Sequence, residues 1–186
     1  MAEPVTLADI KGHLRLDVSV TDEDAYLSSL LVGARRACEL KIGRAIVDST
    51  LSVVLDGFPA PPADEIALPG GTVSTVSIDY VDSDGANQTF PSGSYVASLQ
   101  EQPSQLAPVD SWPGTADQPG AVTVSYDVSA LSSDDLEVAR QAIRLTVGSW
   151  YSNREGAVAD QRGTPAEVPL AVSWLLEPLV SYGGRL

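Results

Sequence analysis

The sequence predicts an α+β protein whose helices, drawn from both ends of the chain, form one core around an inserted antiparallel β segment. Three observations support this. Near both ends apolar residues recur every three to four positions, the period of one helix face. Between residues 47 and 131 they alternate instead, the period of one strand face. The connections of that middle stretch also carry the glycines and prolines that turns require.

Residues 1–46 are predicted to hold two helices, because Thr6-Leu-Ala-Asp9 and Thr21-Asp-Glu-Asp24 both match the hydroxyl-x-x-acid signature of a helix start. Gly12 should weaken the end of the first. In the second, Leu27, Leu30, Leu31, Ala34, Cys38 and Ile42 make one apolar stripe while Arg35, Arg36 and Glu39 point elsewhere, and Gly43 stops it. Within 47–131 three strand faces are legible: Leu51, Val53 and Leu55; Val76, Ile78 and Tyr80; Val122, Val124 and Tyr126. Residues 98–120 hold few strand formers and several prolines, and are expected to be a long loop. Residues 132–186 bring back helix. Ser132-Ser-Asp-Asp135 opens it, and Leu136, Ala139, Ile143, Val147 and Trp150 form one stripe, with Val138, Ala142 and Leu145 on a second. Such a helix must be covered on more than one side, by its own fold or by another subunit. A short helix near Pro169–Glu177, with Val172, Leu175, Leu176 and Leu179 aligned and Pro178 ending it, precedes a tail expected to be flexible.

Composition narrows the function. The 186 residues, 44% of them apolar, suffice for a real core. One cysteine, Cys38, excludes an internal disulfide, and with one histidine, His13, it cannot build the usual Cys/His zinc site. No apolar run approaches the roughly 20 residues of a membrane span, and the N-terminus lacks a signal-peptide pattern, so a soluble cytoplasmic chain is expected. The formal charge is −14, and between Arg44 and Arg140 there is no Lys or Arg at all. That segment repels phosphate, so DNA should not bind tightly.

Nothing in the sequence assembles a catalyst. His13, the one group that titrates near neutrality, has no nucleophile motif beside it and reads as a surface or helix-end histidine. Cys38 lies on an apolar stripe, where a thiol behaves as a small hydrophobe. Asp82-Ser-Asp-Gly85 opens like a calcium loop but lacks the later ligands, and Asp22/Asp24 and Asp134/Asp135 suit the first turns of helices. Gly70-Gly71 is an isolated pair without a phosphate-loop lysine. Trp150-Tyr151-Ser-Asn-Arg154 combines aromatics and Arg at a helix end, as interface anchors or core anchors do. The rival to a structural role is a carbohydrate- or receptor-binding module that displays Tyr80, Tyr95, Trp112 and Tyr126.

Three stretches resemble the head–tail connector (adaptor) family of tailed phages, with its prophage and gene-transfer-agent versions. They are Leu7-Ala-Asp-Ile-Lys-Gly-His-Leu-Arg-Leu-Asp17 with Asp22-Glu-Asp24 and the helix to Gly43-Arg44; Ala142-Ile-Arg-Leu-Thr-Val-Gly-Ser-Trp-Tyr-Ser-Asn-Arg-Glu155; and Val168-Pro-Leu-Ala-Val-Ser-Trp-Leu-Leu-Glu-Pro178. Two positions depart from the family pattern: Ile42 stands where a Thr precedes Gly-Arg, and Ser149 where relatives often have His.

The resemblance implies a non-enzymatic virion protein without cofactor or metal, made in the host cytoplasm and placed in the virion neck. It implies a ring, dodecameric in the family, that docks on the portal protein and receives a tail-completion or stopper protein, while packaged DNA passes through without specific binding. On this reading the surfaces that meet a neighbouring subunit or the portal fall at Arg35, Arg36, Arg44, Trp150, Tyr151, Arg154, Trp174, Tyr182 and Arg185.

Overall fold

The computed structural model describes residues 3–61, 64–99, 103–153 and 170–181. The fold is α+β. The chain divides into two compact units, Met1–Ile42 with Leu131–Val180, and Gly43–Ala130 with Ser181–Leu186.

The first unit is helical. Helix α1 (Leu7–Leu14) starts at a capping box: Asp9 N–H donates to Thr6 Oγ1 at 3.1 Å and Thr6 N–H returns to Asp9 Oδ2 at 3.0 Å. Gly12 does not shorten it. The helix continues to Leu14 and is closed by Arg15, whose left-handed φ of 58° directs its N–H back to Gly12 and Lys11 carbonyls. Helix α2 (Asp24–Ile42) begins later than the Thr21 signature implied. Asp24 N–H donates to the Thr21 carbonyl at 3.1 Å, so that signature closes a turn in front of the helix. Leu27, Leu31, Ala34, Cys38 and Ile42 are buried as the stripe requires, and Gly43, at φ 68°, ends the helix.

Helix α3 (Ser133–Ser152) opens on Ser132, whose Oγ accepts from Asp135 N–H at 3.3 Å. Its buried residues, Ala139, Ala142, Ile143, Thr146 and Val147, come from both stripes. The reason is tertiary, since α3 touches α1, α2 and also α4 (Leu170–Leu176). A 3₁₀ turn, Glu177–Leu179, follows α4 with Pro178 inside it, and Val172, Leu176 and Leu179 are buried. Each fully buried Leu, Ile or Val contributes roughly 1.5–3 kcal/mol relative to exposure. Pro169 and the tail from residue 182 lie outside the described residues.

The second unit is two antiparallel sheets. The larger has the order β1 (Ser49–Leu55), β7 (Val122–Val128), β3 (Val73–Val81), β4 (Asn87–Phe90); the smaller has β2 (Ile66–Leu68), β6 (Ser104–Pro108), β5 (Tyr95–Ser98). One apolar cluster joins them: Ile66, Leu68 and Leu106 from the small sheet meet Val73, Ile78, Val122, Val124, Tyr126 and Val128 from the large one. The three strand faces read from alternation all turn inward. The expected loop over 98–120 is corrected, because β6 is the central strand of the small sheet. Its strand signal is weak, but Leu106 is fully buried, and Pro108 sits at the strand's last position, where a missing N–H costs least. Tyr126 Oη donates to the Pro69 carbonyl at 2.9 Å, and burial pushes its phenol up to about 12.

Candidate assembly interface

The residues expected at an interface divide by what holds them. In the first unit Arg35 is engaged within the chain: Nε donates to Glu3 Oε2 and Nη1 to Glu39 Oε1, both at 2.8 Å. Burial opposes its charge, but the hydrogen bonds to Glu3 and Glu39 outweigh this and raise its pKa. Glu39 does not point away from the core as the stripe suggested. It is only 3% exposed, and the reason is charge pairing, with Arg36 Nη1 3.4 Å from its second oxygen.

Trp150 and Tyr151 are half-buried in α3. A methyl group on Gly33 would lie 3.4 Å from the Trp150 ring, so the glycine in α2 leaves room for the indole. Tyr151 Oη donates to Glu23 Oε2, and its ring stands 6.3 Å from that of Tyr26. Both aromatics therefore make contacts inside the unit. Arg36 and Trp174 are different. The Arg36 side chain is 51% exposed, and Trp174 is 69% exposed, one turn from Leu170 at 70%. On α4 the buried set Val172, Leu176 and Leu179 faces inward while Leu170 and Trp174 face out, so two large apolar side chains meet water. On α2, Val32, Arg36 and Leu40 repeat at four-residue spacing along an exposed stripe. Arg154, Tyr182 and Arg185 lie outside the described residues.

Arg44 belongs to the second unit. It forms a bridge with Gly70, and Ala45 N–H donates to the Gly70 carbonyl at 2.8 Å. The outer face of the large sheet in this unit is hydroxyl and carboxylate apart from Val54: Thr50, Asp127 and Thr75 stand in one row, Ser52, Ser125 and Ser77 in the next, then Val54, Thr123, Asp79 and Thr89. Asp127 accepts from Thr50 Oγ1 at 2.7 Å and Thr75 Oγ1 at 2.6 Å, and Asp79 accepts from Thr89 Oγ1 at 2.6 Å. The bonds from Thr75 and then Thr50 hold the Asp127 carboxyl below its usual range. Hydroxyls, not cations, satisfy these acids. The sequence shows the alternation, but only pairing shows that the rows align.

Two residues that carry weight here had no signal in the sequence. Lys11 is 4% exposed; its Nζ donates to the Val18 carbonyl at 3.3 Å and the Val20 carbonyl at 2.7 Å and is ion-paired with Asp24 Oδ1 at 2.5 Å. It thus ties the α1–α2 connection to the first turn of α2, beside a hollow of about 130 Å³ lined by Leu16, Val20 and Leu27. Gly148 is the other, since a Cβ there would stand 3.3 Å from His13 Nε2.

The groups with chemical potential are placed as follows. His13 is exposed at the end of α1. Cys38 is buried, and desolvation lifts its thiol to about 11 against a weaker opposing hydrogen bond with Thr146. Folding therefore favours the protonated thiol: this contribution is present below the ordinary thiol value of 9.0 and is lost as pH rises through about 11. We expect a thiol reagent at pH 8 to label Cys38 at least ~100-fold more slowly in the folded than in the urea-unfolded protein. Equal rates would show that the thiol is accessible. Asp82 is consumed by its own loop: Oδ1 accepts from Asp84 and Ala86 N–H at 3.0 and 2.9 Å, and Oδ2 from Gln88 Nε2 at 3.0 Å. The calcium-loop likeness is thus an Asx turn between β3 and β4. Among the described residues no three His, Cys, Asp or Glu side chains gather as a metal site.

Of the aromatics on which a displayed binding surface would rest, Tyr126 is buried in the apolar core, and Tyr80, Tyr95 and Trp112 pack in one ring cluster with Phe58 and Phe90. Phe58 stacks on Trp112 at 4.7 Å and 3°, and Phe90 meets Tyr80 and Tyr95 at 6.3 and 6.2 Å. Trp112 Nε1 donates to the Asp64 carbonyl at 2.7 Å.

No family model matches the chain, and no curated protein does. Solved structures do match. A chain in the neck of an empty gene transfer agent (GTA) particle, computed with C6 symmetry, is similar with a TM-score of 0.72 at 22% identity, covering 100% of this chain and 97% of that one. This is a fold found in gene transfer agent particles. The virion of a native GTA particle gives 0.70 at 22% identity, covering 98% and 94%. The neck of a native GTA particle computed with C12 symmetry gives 0.68 at 22% identity, covering 100% and 97%. The likeness spans the helical ends and the β segment alike, and the β segment is the part that the sequence resemblance did not reach.

Proposed function

We propose that this chain is a structural, non-catalytic subunit of the neck of a tailed phage or phage-like particle: a head–tail adaptor that forms a ring under the portal. The observation that carries the reading is the fold likeness over the whole chain to a protein chain of GTA particle necks. The symmetry of those necks favours a ring. The ring would be made in the host cytoplasm, dock on the portal and receive a stopper or tail-completion protein, with residues 1–46 and 132–186 as the connector core and 47–131 as the inserted β region. Leu170 and Trp174 on α4, and Arg36 among Val32 and Leu40 on α2, are the exposed groups best suited to assembly contacts. The base-free hydroxyl and carboxylate face of the large sheet suits a surface past which DNA slides without sticking.

The test is light scattering coupled to size-exclusion chromatography across salt and protein concentration, with and without the cognate portal. A ring alone, or a complex formed with the portal, supports the adaptor; a monomer indifferent to the portal refutes it. Twelve copies at −14 each carry a formal charge of about −170, so screening should aid assembly of the free chain. Assembly is expected to strengthen between about 50 and 300 mM salt. A steady weakening over that range would count against charge repulsion as the limiting term.

A further inference from the structure

We propose that Arg44 is an intermolecular contact whose guanidinium receives a carboxylate from a second copy of this chain, a reading that rests on the ring proposed above. Within residues 43–130 it is the sole Lys or Arg, against eleven Asp and Glu. The fold holds it in place. Its backbone bridges to Gly70, and its Nε lies 3.8 Å, an ordinary contact distance, from where a Cβ on Gly71 would stand, so the side chain passes over Gly71 at φ 130°.

That position leaves a donor unsatisfied. Arg44 Nε is sealed from solvent and has no hydrogen-bond partner among the described residues, and no carboxylate there lies within ion-pair distance of the guanidinium. Sealed by its own chain, Nε is out of reach of a second molecule; its lack of a partner shows that no described residue supplies an acceptor to this side of the guanidinium. The residue is only half-buried, so the remainder of its planar fork can meet a second molecule.

Charge complementarity names the occupant. The chain has 25 acids against 11 bases, so a neighbouring copy presents carboxylates in excess. Two copies repel overall, and a head-to-tail contact needs a cation on one side to meet an acid on the other. Within residues 43–130, Arg44 is the cation on offer.

The experiment compares the full-length protein with Arg44→Met and Arg44→Lys, measuring Tm and, by mass photometry, assembly of the chain alone and on the portal. Methionine keeps the stem and removes the unpaired charge. The expected result is a Tm unchanged or higher and an assembly constant at least ~10-fold weaker, with lysine restoring part of the assembly in a more salt-sensitive form. Unaltered assembly of Arg44→Met beside a wild-type ring overturns this proposal and leaves the ring standing. A lower Tm with intact assembly assigns Arg44 to the fold instead. A wild-type chain that is monomeric alone and on the portal removes the ring, and this contact with it.

Discussion

Replacing Trp174 with alanine is expected to weaken assembly by ~30-fold or more while moving Tm by no more than about 2 °C. The expectation comes from how α4 distributes its side chains. Val172, Leu176 and Leu179 bury against the helical unit, whereas Trp174 and Leu170 are about 70% exposed on the opposite side. Truncating an exposed indole removes little from the folded monomer. If the same indole is buried in an assembled particle, its loss forfeits the burial of an aromatic anchor, about 2 kcal/mol or more, which is the ~30-fold. The check is the same scattering experiment, with Leu170→Ala as a smaller companion. A Trp174→Ala protein that assembles normally would show that this face stays wet. One that melts far below wild type would show that the indole supports the fold.

The second large effect is on stability. Lys11→Ala should cost about 3 kcal/mol, a fall in Tm of ~10 °C or more for a unit of this size. Lys11 is a buried cation whose ammonium is hydrogen-bonded to two carbonyls and ion-paired with a carboxylate, and whose stem fills space under the α1–α2 connection. Removal leaves the Val18 and Val20 carbonyls and Asp24 to find water, and opens a void beside Leu16 and Leu27. Urea or thermal unfolding followed by circular dichroism measures this directly. A shift under about 3 °C would mean that the connection relaxes and rehydrates without penalty.

Both variants turn on features that differ sharply in how visible they are in sequence. The face of α4 is periodic, so the aligned Val172, Leu176 and Leu179 declare the inward side, and Trp174 falls opposite. Lys11 carries no such mark, because a lysine in a short amphipathic helix is normally solvated, and only the fold of residues 15–23 back over it buries the ammonium. Glu39 shows the same limit. Its position within α2 was plain, but its burial depends on Arg35 and Arg36 closing on it, with Arg35 held in turn by Glu3, 32 residues before Arg35.

The β segment divides in the same way. Val122, Val124 and Tyr126 alternate strongly enough to announce a strand, whereas Ser104-Gln-Leu-Ala-Pro108 becomes one only because β2 and β5 pair on its two sides. Strand formation in so short a run is a property of the neighbours, not of the residues.

By itself, then, the sequence determined the α+β class, the helical ends, the inward faces of the long elements and the lack of any nucleophile or metal motif, because these follow from local period and residue chemistry. Tertiary structure alone decided that α3 is covered on two sides by its own unit, that Thr50, Asp127 and Thr75 stand in one row, and that Gly71 comes to lie beneath Arg44. Those facts depend on which distant segments meet, and burial or pairing across such separations leaves no periodic trace along the chain.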